Sequence, residues 1–586
     1  MLLIHWGQLE LEFHQVDTLI HNAKRRHDAW LQTASSSTSL TEATHNYVAR
    51  YNQTPPPHFD VWYEYATNRS SLIIDEFDTI YEDLLPFWSL SPAEIRKRTK
   101  ESLNSPTGGV GGINIRGGVA SISGNTPGTH KWELNGIIDI IDKFGKYLPD
   151  MDLAFNLNDE CRVSIPYHEL EKSRTAARQE SAARKDGLGS LSNGFSEGRA
   201  EGWEVVPSEP LDLQRFIVLS FQNTWDFSSA HCPPDSAARL NRHLDPNTFC
   251  ASCAAPHSLD VFLSNWTLAG DVCHQPDLAQ LHGFYISPSA MDATPQLMPI
   301  FSQSKAGGFN DIRYPSPWNY MDKTRYDPNE EFPDPEFEAK QNAIFWRGAT
   351  SEGFSKSGTG AWRGMSRQRF VGLFSNPSAA QALLLPDPEQ RVDDDTARLR
   401  LRYALVDPSH LRDSIATDTH FTDVVRCDPP DCDDQIAQFG GLGDRTDFQA
   451  HWRYRYLLDI DGAGFSGRFL PFLQSRSLPF KTALFREWWE TRIAEWVHFV
   501  PLDLRAHGAW ATLAYFAGFE GSVEGETVSW PPHYLQAKAL ADEGALWARK
   551  VLRKEDMEIY MFRLLLEWGR LTDDRRADIG FTGRTS

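Results

Sequence analysis

An apolar run, a cluster of small residues and a single arginine follow one another between Tyr456 and Phe480, YLLDIDGAGFSGRFLPFLQSRSLPF. The segment begins as a buried strand. It then becomes a loop of small residues (Gly462, Gly464, Ser466, Gly467) that delivers Arg468, followed by an amphipathic run and a second apolar strand. Glycines let backbone N–H groups approach an anion closely. A helix N-terminus adds a positive end, and an arginine adds a fork of donors shaped for phosphate oxygens. The order strand, loop, arginine, helix, strand therefore reads as a site for a phosphorylated leaving group. The GxxxxGK[ST] spacing is absent, and Gly462-Ala463-Gly464 is followed by Phe465, Ser466, Gly467 and Arg468 rather than completing GxGxxG. ATPase and dinucleotide readings are weakened accordingly.

The 586 residues suffice for two or three domains. A net charge of −21 argues against nucleic acid or an anionic membrane as the main partner, although a local basic pocket is compatible with it. No apolar run is long enough to span a bilayer, and the first residues, MLLIHWGQLELEF, lack the basic and apolar order of a signal peptide. This fits either a cytosolic protein or a chain without its original targeting segment. Of seven cysteines, five lie between Cys161 and Cys273. Cys250 and Cys253 have CxxC spacing, and Cys427 and Cys432 are five apart. With no second CxxC, structural zinc is weakly supported, and disulfides in an oxidising compartment are the preferred reading over free thiols. Sequons at Asn52, Asn68 and Asn265 agree with a secretory lumen.

Periodicity gives a coarse α/β layout. Leu9, Phe13, Val16, Ile20 and Ala23 mark a helix over 8–32, and a Ser/Thr-rich linker follows it. A helix is expected from Asp75 to Trp88, a hairpin within 104–128, a helix from Ile137 to Phe144 and a short strand from Met151 to Phe155. Residues 170–202 read as a mobile insertion. Apolar segments at 216–221, 281–286 and 297–301 are expected to continue the first sheet. A linker over 321–341 precedes a second α/β unit that starts at Ala343 and includes a helix near 366–375, the 456–480 segment and a strand at Val497–Val500. In the last helix, Met557, Tyr560, Met561, Leu564, Leu565, Trp568 and Leu571 form an apolar packing stripe. The expected divisions are an N-terminal helical region (1–100), a first domain (101–325), a second domain (340–530) and C-terminal packing helices (531–586).

Three further places carry possible chemistry. Asp159 follows a short strand in AFNLNDECRV, where the carboxyl ends of α/β strands gather ligands. It is either a general base for a hydroxyl nucleophile or a cap on the following turn. Arg347-Gly348, with Ser351 four residues past the arginine, follows the strand ending in Phe345-Trp346 and reads as a phosphate or sugar contact or as an ordinary surface turn. Asp459 and Asp461, at i and i+2 on a strand, face one side; magnesium or manganese would use such oxygens with a diphosphate, and the alternative is that they shape the glycine turn. Asp393–Asp395 and Asp431–Asp434 read as solvated charge runs, and His498 as a core residue. GxSxG and HExxH are absent.

With these residues in view, the chain resembles glycosyltransferase family 90, which includes fungal capsule-associated xylosyltransferases and animal Rumi-type protein O-glucosyltransferases. The resemblance runs through PPPHFDVWYEYA, LIIDEFDTIYEDLLPFW, FWRGATSEG, YLLDIDGAGFSGRF, FREWWETRIAEWVHFVPL and DMEIYMFRLLLEWGRL, nearly the whole chain. It implies an α/β, GT-B-like fold, with two Rossmann-like domains facing a cleft, and an inverting transfer of xylose or glucose from a UDP-sugar to a glycan or protein acceptor. It places Asp159 as catalytic base, and puts Arg347, with Gly348 and Ser351 beside it, at the donor diphosphate. Ala463, Gly464, Phe465, Ser466, Gly467 and Arg468 fall on the UDP-binding loop. Ser304, Lys305 and Asp311, in SQSKAGGFND, fall on the acceptor side. It also implies a Golgi or ER lumen and, in the fungal branch, an N-terminal membrane anchor that is not visible here. Cys161 stands where fungal relatives often have proline, and the animal enzymes lack the Asp459/Asp461 pair, so a need for a divalent metal does not transfer from them. A non-catalytic protein of the same shape that binds a nucleotide sugar or glycan is the alternative, and a sugar kinase is a third.

Overall fold

The computed structural model describes residues 14–124, 126, 128, 130–185, 191–204, 210–241, 248–387 and 400–583. Two five-stranded sheets organise it. The first contains β1 (Val110–Arg116), β2 (Val119–Ile122), β3 (Met151–Asn156), β4 (Ile300–Ser302) and β5 (Ile312–Arg313), in the spatial order β5-β4-β3-β1-β2. β1 and β2 form the expected antiparallel hairpin and β1 pairs antiparallel with β3, whereas β3, β4 and β5 run parallel. The second contains β6 (Gln341–Ala349), β7 (Ala416–Asp423), β8 (Tyr454–Ile460), β9 (Leu478–Thr482) and β10 (Val500–Pro501), in the order β7-β6-β8-β9-β10, with every pairing parallel. A parallel sheet covered on both faces needs near-continuous apolar strands. β8 meets this condition, since Tyr456 to Ile460 are all buried, Asp459 among them.

Register explains that buried acid. Asp459 of β8 lies opposite Lys481 of β9, and Lys481 Nζ donates to Asp459 Oδ2 at 2.7 Å. Both side chains are almost completely buried. A buried ion survives when paired and hydrogen-bonded, and the second oxygen of Asp459 accepts from Ser466 Oγ in the glycine loop. The strand acid thus ties the loop down to the sheet.

The chain ends exchange places between the two units. The helix Gln15–Ala34 buries Val16, Leu19 and Ala23 in the core of the second sheet. The helix Lys554–Leu571 buries its stripe, from Met557 to Leu571, in the core of the first, beside Trp62, Phe87 and Phe301. Residues 43–95 share that core, so the N-terminal region packs as part of the first unit.

Several expectations are corrected. Residues 283–286 form a short helix instead of a strand, and of the 297–301 segment only Ile300 and Phe301 join the first sheet, in the strand Ile300–Ser302. The 170–202 stretch holds most of the helix Tyr167–Lys185, with Leu170 and Ala177 buried, and Ser192 bridges Ile579. The helix Leu40–Tyr51 follows soon after the Ser/Thr-rich run. Val497 and His498 precede β10 in a loop, where His498 is fully buried and stacks on Trp547. Asp433 and Asp434 are exposed as expected, but Asp431, in the first turn of the helix Pro429–Gln438, is buried and accepts from Ser355 Oγ and Gly358 N. Leu9, Phe13 and Asp393–Asp395 lie outside the described residues. Disulfides join Cys250 to Cys253 and Cys427 to Cys432, as spacing suggested, and Cys232 to Cys273; Cys161 is free and buried.

Candidate active site

Asp159 sits on a turn that its neighbours hold rigid. Asn156, at the end of β3, donates to the carbonyl of Glu160 (2.8 Å) and accepts from Arg162 Nε (2.6 Å) and the Asn158 amide (3.1 Å). The Glu160 carboxylate accepts from the Ser289 and Ala290 amides and from Ser289 Oγ. The Asp159 side chain stays 55% exposed, and its partner is Arg426 Nη2 at 3.5 Å. A capping role is excluded by this geometry, because the carboxylate turns away from its own backbone towards the second unit.

The glycine loop meets that turn directly. A Cβ on Gly464 would lie 2.7 Å from the carbonyl oxygen of Asp159 and 3.2 Å from its Cβ. Only a residue without a side chain lets the backbone approach so closely. Among the described residues, no protein acceptor meets the backbone N–H groups of Gly464 to Gly467. The loop is anchored by buried Ala463, by Phe465 packed on the apolar cluster around Phe284 and Phe485, and by Ser466 on Asp459. On its far side the Gly467 carbonyl accepts from Thr324 Oγ1 and Asn319 Nδ2.

Arginines gather beneath this loop. Arg468 donates through Nη1 to the Arg347 carbonyl (2.7 Å), while its buried Nη2 has no protein partner. Burial lowers the Arg468 guanidinium, with Asp459 opposing. Arg347 itself turns to the neighbouring strand. It donates to the backbone carbonyl of Asp418 (2.9 Å) and to its carboxylate (2.6 Å), leaving Nε buried and unpartnered. Gly348 is required by Trp346, whose ring would lie 2.8 Å from an added Cβ. Burial above all, with Arg468 and Arg347 adding to it, pulls His451 down to about 3.

Two arginines that sequence reading missed complete the corner. Buried Arg367 donates to the Asp461 and Ala349 carbonyls and to Ser351 Oγ, and burial, then Arg468, pulls it down to about 10. Arg426 donates to the Ser351 carbonyl (3.0 Å) and reaches across to Asp159. Ser351 is therefore a hub for two arginines. Arg426 adopts a left-handed backbone (φ 59°) beside the Cys427–Cys432 bridge, and the cysteine spacing was its one sequence signal. Glu352, also missed, takes the Ser366 and Arg367 amides at the start of the helix Ser366–Ser375, so that positive helix end is filled by protein.

The remaining expected site residues lie elsewhere. Asp311 is buried and accepts from the Arg162 and Val163 amides and Ser302 Oγ, and Lys305 pairs with Asp83. Ser304 is buried on a two-residue strand paired with Arg486–Glu487. Asp311 thus braces the turn after Asp159, whereas Lys305 and Ser304 are held by Asp83 and by the strand pairing. Asp459 is committed to Lys481 and Ser466, and Asp461 Oδ2 to the Leu484 and Phe485 amides. Burial pushes the Asp461 carboxyl up to about 7. That pair does not fit a divalent cation, since three of its four oxygens already serve the fold. On the opposite side of Asp159, burial and then Asp159 push the Glu133 carboxyl up to about 8.

Comparison with known proteins bears on the same region. Residues 401–576, which carry Arg426, the glycine loop and Arg468, match the model of glycosyl transferase family 90. A curated relative, the O-glucosyltransferase rumi homolog of Anopheles gambiae, is 22% identical over 278 residues. That match spans 47% of this chain and 56%, about half, of the relative. The ordered blocks, the loop and the two comparisons agree in likening the chain to glycosyltransferase family 90, with the family match confined to residues 401–576.

Proposed function

We propose that the protein is an inverting glycosyltransferase that moves xylose or glucose from a UDP-sugar to a hydroxyl of a glycan or protein acceptor, on a GT-B-like frame. The observation that carries this reading is the contact of Gly464 with Asp159. It sets an exposed carboxylate against a loop with free amides and a half-buried arginine whose buried Nη2 has no protein partner. Asp159 removes the acceptor proton, and the acceptor oxygen bonds to the anomeric carbon as the bond to the UDP oxygen breaks. Arg468 and the loop amides meet the negative charge that develops on the diphosphate, with the unpartnered Nε of Arg347 as a second donor. Single displacement needs no protein nucleophile. Asp459 and Asp461 serve the loop's architecture, so no step is routed through a cation. Three disulfides and exposed sequons at Asn52, Asn68 and Asn265 support a lumenal compartment. Among the described residues, no helix is long and apolar enough to cross a membrane.

The test is a donor screen that reads UDP release, with and without EDTA, alongside UDP titration. Asp159→Asn is expected to lose about 10²–10⁴-fold in kcat while still binding UDP. Wild-type turnover by that variant would remove the base, and unchanged UDP affinity in Arg468→Ala would remove the main donor contact.

A further inference from the structure

Two tryptophans stand at the Gly467 end of the glycine loop. Trp318 is 38% exposed and Trp132 is half-buried, with ring centroids 5.8 Å apart and planes at 67°. Neither is loosely placed. Trp318 Nε1 donates to Thr324 Oγ1 (3.0 Å), and the same hydroxyl donates to the Gly467 carbonyl. A Cβ on Gly467 would lie 2.4 Å from Trp318 Cδ1, so the indole rests on the loop backbone. Lys323 Nζ lies 4.4 Å from the centre of the Trp132 ring. Trp132 precedes Glu133, whose buried carboxyl feels the Asp159 charge.

Position matters more than exposure. Gly464 touches Asp159 and Gly467 touches Trp318, and three residues of chain reach at most about 10 Å. The indole pair is thus within the reach of a disaccharide from the base. An indole offers a flat apolar face, and its N–H is already satisfied here. A pyranose ring presents C–H groups on its face and hydroxyls at its edge, and Lys323 supplies donors beside the rings. Scattered exposed apolar residues need no explanation, but two tryptophans held against a donor loop and a base do.

We infer that Trp132 and Trp318 form the acceptor platform and that it takes a pyranose ring of a neutral glycan. This rests on the reading of Asp159 and the glycine loop given above. The platform chooses between the two acceptor classes, favouring a sugar over a bare serine or threonine in a peptide.

The test uses the full chain on an array that carries neutral oligosaccharides and serine/threonine peptides, with UDP titrated in parallel. The wild type is expected to bind neutral glycans. Trp132→Ala is expected to weaken that binding at least tenfold, with UDP affinity within twofold, and Trp132→Phe to restore most of it. The conservative variant separates a lost stacking face from a lost fold. Peptide binding without glycan binding, or glycan binding undiminished in Trp132→Ala, overturns the inference. Weakened UDP binding in Trp132→Ala also overturns it, by moving the pair to the donor side. A wild type that binds glycans through Trp132 but neither binds nor consumes UDP-sugars would instead sink the transferase reading.

Discussion

Gly464→Ala perturbs the proposed mechanism at one atom. The new methyl would sit 2.7 Å from the Asp159 carbonyl oxygen and 3.2 Å from its Cβ, closer than a carbon tolerates, and the first obstacle is backbone. Asn156 and Glu160 hold the turn, so relief must come from displacing Asp159 or the loop by several tenths of an ångström. Overpacking of this kind costs about 1–3 kcal/mol of stability. The effect on rate is larger in proportion, because a misplacement of about 1 Å costs roughly 10²-fold in a positioned reaction. A fall in kcat of about 10–100-fold is expected in the UDP-release assay, with UDP affinity changed less than about threefold, since the loop amides and Arg468 remain. Thermal unfolding followed on the same preparation checks that the loss is not global. A kcat within twofold of wild type would refute the claim that the base is seated on the loop.

Lys481→Met leaves Asp459 charged and unpaired in the core, and a denaturant titration is expected to show a loss of about 3–5 kcal/mol. The Asp461 carboxyl, pushed up to about 7 by burial, binds its proton in the folded chain between roughly pH 4 and 7 where the unfolded chain does not, so its contribution to stability falls as pH rises through that window. Asp461→Asn removes this dependence, and its stability relative to wild type is expected to improve by on the order of 2–4 kcal/mol between pH 4 and pH 8. A flat difference would refute the buried, protonated assignment. Arg426→Met removes a partly exposed contact across to Asp159, expected to lower kcat by about two- to fivefold, well short of the effect of Asp159→Asn.

The parts of the fold that depend on local pattern were legible. The hairpin of β1 and β2, the strands β3, β6 and β8, the helix at 366–375 and the stripe of the last helix all follow from periodicity over short windows. Leu281–Ile286 was misread because a short apolar run does not distinguish strand from helix, and tertiary contacts chose the helix. The glycine loop and the turn at Asp159 were legible as local structure, because a turn or loop needs a particular residue type. The arginines were half legible. Arg468 announces itself by the small residues before it, but Arg367 sits in an ordinary helix start and reaches the loop only through the fold. The amide partners of Asp311 and the pairing of Lys305 with Asp83 were not legible, because burial and partners are not written in the spacing.

The sequence by itself determined an α/β chain with a loop of small residues and an arginine after β8 and a strand-end carboxylate at Asp159, because glycine content, strand length and apolar run are local properties. Only the tertiary structure decided that these two meet, through Gly464. It likewise set Lys481 opposite Asp459, turned Arg347 onto Asp418 and put Arg367 and Arg426 on Ser351. The physical reason is that a side chain's partner is fixed by strand register and by the packing of elements hundreds of residues apart, which set distance, burial and charge without leaving a local pattern.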